Sequence, residues 1–300
     1  MKPTNRRSFL KTAALLGTGL MVAPQLACSR PDSESTGSAA SPAETLPFGI
    51  QLWTLREAFP ADPRGVLRML SELGYRQIET FEGPQGMYWG MGHTEMQSYI
   101  QSLGMKLVAG HCNIMEDFER KAAEAAEIGM SYLVSPFIGR QGSIDDYKRY
   151  AEIFNERGEI CRREGIRFAY HNHEYTFDET FDGQLPQEVL MRDTDPDLVS
   201  FEIDIYWVVT GGADPLYWIE NHPGRFTLCH VKDRADVAPD VLRASTVLGT
   251  GTVDFKTLLP AAKENGMEYF FVEQEEYDGT TPTDAVRKNA EFMRSLELFS

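Results

Sequence analysis

FGIQLW (48–53) runs directly into TLREAFPAD (54–62), and this junction decides between the two folds open to a chain of alternating strands and helices. FGIQLW reads as a buried strand. A doubly wound open sheet would follow its first strand with a glycine-rich turn that cradles a phosphate at a helix N-terminus. TLREAFPAD contains no glycine. A (β/α)8 TIM barrel needs no such turn, and it becomes the predicted fold.

Seven further apolar runs support it: RQIETF (76–81), KLVAG (106–110), YLVSP (132–136), RFAYHN (167–172), VSFEID (199–204), FTLCHV (226–231) and YFFVEQ (269–274). Amphipathic stretches alternate with them, including RGVLRMLSELG (64–74), ERKAAEAAEIGM (119–130), DYKRYAEIFNERGEICRREG (146–165), FKTLLPAAKENG (255–266) and TDAVRKNAEFMRSLEL (283–298). Several predicted helices close on a glycine shortly before the next strand, as at Gly74 and Gly165, the expected residue for a left-handed cap.

Composition is that of a globular chain: 42% of the 300 residues are hydrophobic, ample for a core. The net charge of −16 argues against a nucleic-acid partner and against a basic membrane-binding surface. A neutral sugar suits such a chain better than a polyanion.

Residues 1–28 read as an export signal. Arg6 and Arg7 precede the apolar stretch TAALLGTGLMVAPQLA (12–27), a twin-arginine pattern. Glycine and proline interrupt that stretch, so a permanent membrane span is the weaker reading. Cys28 follows Leu26-Ala27 as at a lipoprotein cleavage site, although Gln25 stands where a lipobox normally has Leu. Cleavage without a lipid and a retained anchor are the alternatives to lipidation at Cys28. Residues 29–47, rich in Ser, Ala and Pro, read as a flexible linker, leaving 48–300 for the barrel. The expected location is therefore periplasmic or membrane-anchored. Cys112, Cys161 and Cys229 match no zinc spacing and read as buried free thiols.

In a TIM barrel, functional side chains emerge at the C-terminal strand ends. RFAYHN delivers His171, FEID delivers Asp204, FTLCHVKD delivers His230 with Lys232 beyond it, and YFFVEQEE delivers Glu273. Any one of these alone reads as an ordinary hydrogen-bonded residue. Four titratable groups at one height on consecutive strands need a cation or one another. Two imidazoles and two carboxylates suit Mn²⁺, Zn²⁺, Fe²⁺ or Co²⁺, with Mg²⁺ less suited; Ca²⁺ would prefer an all-oxygen shell.

The segments AYHNHEYTF, FEIDIYWVVTGGADP, CHVKDR, LGTGTVDFKTLL and FVEQEEY, in this order, resemble the xylose isomerase-like TIM-barrel superfamily, whose members are commonly labelled sugar phosphate isomerases/epimerases. The resemblance runs from about residue 47 to residue 300. It implies a divalent metal held by a Glu, an Asp, a His and a Glu on strands five to eight. The last three map onto Asp204, His230 and Glu273; the first position holds His171, a departure that weakens a two-carboxylate epimerisation.

The resemblance implies a metal-dependent sugar isomerase/epimerase that draws a proton from beside a carbonyl through an enediolate. Glu273 would be the base, with His171 or His173 serving the opposite face and Lys232 donating to an enediolate oxygen. The alternative is a metal-dependent lyase/dehydratase or hydrolase acting on keto-sugars or 3-keto-glycosides; for elimination one base suffices. A third reading is a lipid-anchored sugar-binding protein. Glu79 and His111 are expected to line the sugar pocket. Trp53, Trp89 and Trp207 offer flat apolar surfaces, Trp89 most of all because it sits in the loop GPQGMYWGMG (83–92). No cluster of Arg and Lys stands at a strand end, which disfavours a phosphorylated substrate.

Overall fold

The computed structural model describes residues 45–178, 180, 181 and 183–300. The export signal, lipidation at Cys28 and linker residues 29–44 lie outside the described residues.

Eight parallel strands close into a barrel in the order β1-β10-β7-β6-β5-β4-β3-β2. They are β1 (Gly49–Gln51), β2 (Gln77–Phe81), β3 (Lys106–His111), β4 (Tyr132–Ser135), β5 (Arg167–His171), β6 (Val199–Asp204), β7 (Phe226–Val231) and β10 (Tyr269–Val272). Each lies within one of the eight apolar runs or overlaps it almost completely. A short antiparallel ribbon, β8 (Asp233–Arg234) with β9 (Ser245–Thr246), lies outside the barrel sheet and was not foreseen. Around the barrel run α1 (Pro63–Glu72), α2 (His93–Ser102), α3 (Phe118–Glu127), α4 (Ile144–Glu164), α5 (Pro186–Asp193), α6 (Ile205–Thr210), α7 (Pro215–Asn221), α8 (Phe255–Glu264) and α9 (Pro282–Ser295).

The stretch TLREAFPAD shows how locally the chain is directed. It leaves β1 through a 3-10 turn and ends on Asp62, whose side chain accepts from Gly65 N–H at 2.9 Å; Pro63 then supplies the first helical position of α1. The longest helix, α4, starts on Ser143 as its cap and stops at Gly165, which takes φ 82°.

Two apolar regions share the barrel wall. One lies between strands and helices; the other fills the barrel, with Ala109, Tyr132, Val134, Ala169, Leu228 and Phe271. Gly49 makes room for this plug, since a Cβ there would sit 2.5 Å from the Phe271 ring. Because side chains two apart on a strand share a face, the next inward layer follows directly: His171 above Ala169, His230 above Leu228, Glu273 above Phe271. The apolar plug is thus the floor on which the polar layer stands. Cys112, Cys161 and Cys229 are buried and free.

The two sequence signatures HVKD and G-x-G-x-V are halves of one clasp. Asp233 Oδ2 accepts from Gly249 N–H and Gly251 N–H, each at 2.9 Å, while Oδ1 accepts from Arg234 N–H at 2.8 Å and Val253 N–H at 3.2 Å. A Cβ at Gly251 would stand 2.2 Å from the Arg234 carbonyl. Removing the carboxylate leaves four backbone donors unpaired, one of them buried and three half-buried. Asp233→Ala is therefore expected to cost about 2–4 kcal/mol in urea unfolding, a loss that an exposed acid such as Asp117 would not show.

Candidate metal centre

His171, Asp204, His230 and Glu273 meet at the C-terminal mouth of the barrel, all buried, each offering one ligand atom within 4.8 Å of the others. The register makes this inevitable for the central pair, since Asp204 and His230 are cross-strand partners. His171 Nε2 lies 3.3 Å from Asp204 Oδ2, and His230 Nδ1 lies 3.5 Å from Asp204 Oδ2 and 3.3 Å from Glu273 Oε2. Ligand atoms about 2.1 Å from one ion are spaced in this range.

The hydrogen bonds behind these atoms fix which way each imidazole faces. His171 Nδ1–H donates to the Pro136 carbonyl at 3.0 Å, because a carbonyl can only accept. In the neutral ring, Nε2 then presents a lone pair to the Asp204 carboxylate. His230 Nε2 lies 2.7 Å from Glu79 Oε2, the shortest contact that ring makes. With that nitrogen donating, Nδ1 is left as a buried lone pair with no hydrogen-bond partner, facing two carboxylates. Lone pairs opposed by carboxylate oxygens repel unless a proton or another cation sits between them. Burial alone would lower the His230 pKa, but the Glu202 and Glu273 carboxylates outweigh it and hold it well above the usual range. The pocket attracts positive charge, and its mixed nitrogen and oxygen donors fit a transition-type divalent ion.

Asp204 has two duties. Oδ1 accepts from Trp207 N–H at 3.1 Å and caps α6; Oδ2 faces His171, His230 and, at 3.6 Å, Lys232. Asn172 holds its backbone from both sides, accepting from Asp204 N–H at 3.0 Å and donating to the Asp204 carbonyl at 3.3 Å. Lys232 is fully buried and donates to Glu273 Oε2 at 3.0 Å and Glu275 Oε1 at 2.5 Å. Burial works against its charge, yet these carboxylates and Asp204 keep its pKa well above the usual value.

Beneath the quartet lies a second buried group of Glu79, His111, Glu202 and His230. His111 Nε2 is 2.7 Å from Glu202 Oε2, and the His111 ring stacks on His230 at 5.4 Å. Burial raises the pKa values of both Glu79 and Glu202 and lowers that of His111 to about 3. The strand register shifts at Ile78/Glu79 and again at Phe201/Glu202, so both carboxylates sit on irregularities of the kind that re-aim a side chain.

A cavity of about 800 Å³ opens above the quartet, lined among others by His171, His173, Glu273, His111 and Trp207. His173 is packed between Trp207 at 5.1 Å and Phe137 at 4.9 Å, and its Nδ1 has no partner. Burial, then the nearby His171, keep it neutral by lowering its pKa well below the usual value.

Two expectations are corrected. Trp89 does not face the cavity: its Nε1–H donates to the Phe81 carbonyl at 2.9 Å, and its ring packs on Phe59, Phe81 and Gly83 in the core. Glu79 does not line the sugar pocket either; it is fully buried under His230. Lys232 lies beneath the cavity lining, packed against carboxylates and the Trp207 ring. Sequence reasoning missed Glu202, although it stands two residues before Asp204 on the same inward face. It also missed Phe137 and Met115, whose exposure nothing in their local sequence announces.

Residues 67–296 match the family model described as xylose isomerase-like TIM barrel. The chain is similar to a sugar phosphate isomerase/epimerase from Parabacteroides distasonis ATCC 8503, with 28% identity, a TM-score of 0.73, and 89% of this chain and 100% of that chain covered. An inosose dehydratase of Geobacillus thermodenitrificans (strain NG80-2) is 32% identical over 139 residues, 41% of this chain and 45% of the relative. The chain spans about half the length of the curated relatives it matches. An IOLI protein solved with a zinc atom shares the fold at 16% identity and a TM-score of 0.69, over 84% of this chain and 98% of that one.

If Glu79 orients His230 toward an ion, Glu79→Gln should weaken Mn²⁺ binding about tenfold or more while leaving the melting temperature nearly unchanged. His230→Ala should abolish stoichiometric metal. Metal titration of the stripped proteins checks both, and unchanged affinity in the pair would exclude the assignment.

Proposed function

The chain belongs to the xylose isomerase-like TIM barrel family, and from that membership we propose a divalent-metal-dependent lyase acting on a keto-sugar or a related cyclic ketone. The observation that carries this reading is the buried, unpartnered Nδ1 of His230, facing Asp204 and Glu273. His171, Asp204, His230 and Glu273 would hold the ion. When bound, the ion supplies Lewis-acid polarisation of a substrate carbonyl, which makes the adjacent C–H acidic.

The side chains do the rest. Glu273, which lines the cavity, takes the proton from carbon; Lys232 holds the carboxylate in place through its bond to Oε2. His173, neutral and facing the same cavity, accepts that proton from Glu273 and passes it to the departing oxygen, so that both side chains end as they began. The C–H and C–O bonds break, a C=C bond conjugated to the carbonyl forms, and water or an alcohol leaves with the proton. The reaction needs no external oxidant or reductant.

Elimination is favoured over epimerisation because of the fifth strand. Inverting a carbon needs proton carriers on both faces. His171 has Nδ1 engaged by the Pro136 carbonyl and Nε2 turned to Asp204, so neither ring nitrogen is directed at a substrate carbon. The partial relatives named inosose dehydratase support the same outcome. The second reading, isomerase/epimerase with His173 on the opposite face, is favoured by the full-length likeness to the Parabacteroides protein. The twin-arginine pattern adds export of an already folded enzyme to this proposal, consistent with glycoside breakdown outside the cytoplasm.

Mn²⁺-loaded protein in D₂O with a 3-keto-glucoside is expected to release the alcohol and leave an unsaturated keto-sugar; EDTA should stop the release. His173→Gln should slow it by roughly 10²–10⁴-fold. A changed stereocentre with no alcohol released would identify the epimerase instead. Bound sugar with neither exchange nor release would leave a binding protein.

A further inference from the structure

The cavity is larger and more apolar at its rim than a lone sugar requires. At about 800 Å³ it lies in the range that encloses a drug-sized ligand, roughly 300–1,000 Å³, of which a hexose fills a fraction. Its floor is polar and its mouth is not. Among the described residues, seven large hydrophobic side chains are strongly exposed, and four of them line this one cavity: Trp53 (40%), Met115 (59%), Phe137 (60%) and Leu242 (46%).

They arrive independently, from the segments after β1, β3, β4 and the β8–β9 ribbon's connecting loop, and each is held in place. Trp53 stands edge-on to Phe81 at 5.0 Å, with the Arg56 guanidinium 5.3 Å over its ring. Phe137 meets Tyr175 edge-to-face at 5.6 Å, and the Tyr175 hydroxyl accepts from Ile138 and Gly139 N–H. Met115 N–H donates to Asn113 Oδ1 at 2.9 Å. The loop bearing Leu242 is tied down by Tyr206, whose hydroxyl donates to the Leu242 carbonyl at 2.6 Å, and by Arg234 to the Val241 and Ala238 carbonyls. Exposed apolar groups on pinned loops mark a surface that is covered in function.

The charge pattern restricts what covers it. Among the described residues lining the cavity, Glu82, Glu116, Glu174, Glu273 and Glu275 face one basic side chain, Arg243. A phosphoryl group or an acidic partner would be repelled. An uncharged aromatic group would instead lie against Trp53, Phe137, Met115 and Leu242.

We propose that the substrate is a glycoside whose keto-sugar rests on the polar floor and whose leaving group is a large, neutral aromatic alcohol lying across this apolar rim. The inference rests on the reading of the floor as a sugar site and names the class of alcohol that departs.

The test is calorimetric titration of Mn²⁺-loaded protein with two unreactive probes, phenyl β-D-glucoside and methyl β-D-glucoside. Burying the phenyl ring predicts binding on the order of 10–100-fold tighter than for the methyl compound. Met115→Ala combined with Leu242→Ser, both on exposed loop positions, should shrink that ratio several-fold with an unchanged melting temperature. Equal affinities for the two probes overturn the inference and leave the sugar reading intact. Binding of neither overturns both. A self-associated protein that loses all preference for phenyl when dimeric assigns the rim to a second copy and overturns the inference.

Discussion

The hydrogen bond between Glu79 and His230 is the contact on which the barrel mouth depends. By occupying Nε2 it leaves the opposite nitrogen turned to two carboxylates, an arrangement that calls for a proton or another cation between them. With a proton on Nδ1 the group closes as a salt-bridge network; with a metal ion in its place the same atoms become ligands. Two bends in the wall, at Glu79 and at Glu202, bring this about by turning a second carboxylate layer inward beneath the first. Both carboxylates are driven above their usual pKa by burial, and the imidazoles between them keep the layer from collapsing into mutual repulsion.

That buried polarity is tolerable because everything around it is apolar or satisfied. The plug formed by Leu228, Phe271 and their neighbours closes the barrel from below. Asn172 and the helix end at Trp207 consume the backbone and one oxygen of Asp204. Lys232, sealed under the Trp207 ring, balances Glu273 and Glu275. What remains open above this layer is the cavity lined by His171, His173 and Glu273.

Much of this was legible in the chain. Parallel barrel strands are buried on both faces, so they appear as short, largely apolar runs, and all eight strands fall on such runs. That His171, Asp204, His230 and Glu273 would meet was legible from where those runs end. Glu202 was hidden because it sits inside a run whose last residue, Asp204, drew the attention. Trp89 misled for a different reason: its loop does lie at the surface, but a close approach to Gly83 and a bond to Phe81 fold the indole inward, and such long-range packing has no local signature. The HVKD and G-x-G-x-V segments were recognisable as a pair; why they travel together, one carboxylate gathering the amides of both glycines, required the fold.

Asp204 joins what a designer would keep separate. One oxygen starts α6, and α6 carries Tyr206, which pins the loop bearing Leu242; the other oxygen faces the ion site. Remodelling that loop therefore pulls on the same carboxylate that faces the candidate ion site. The entrance loop and the floor are thus joined through one side chain, and a change at either is expected to be felt at the other.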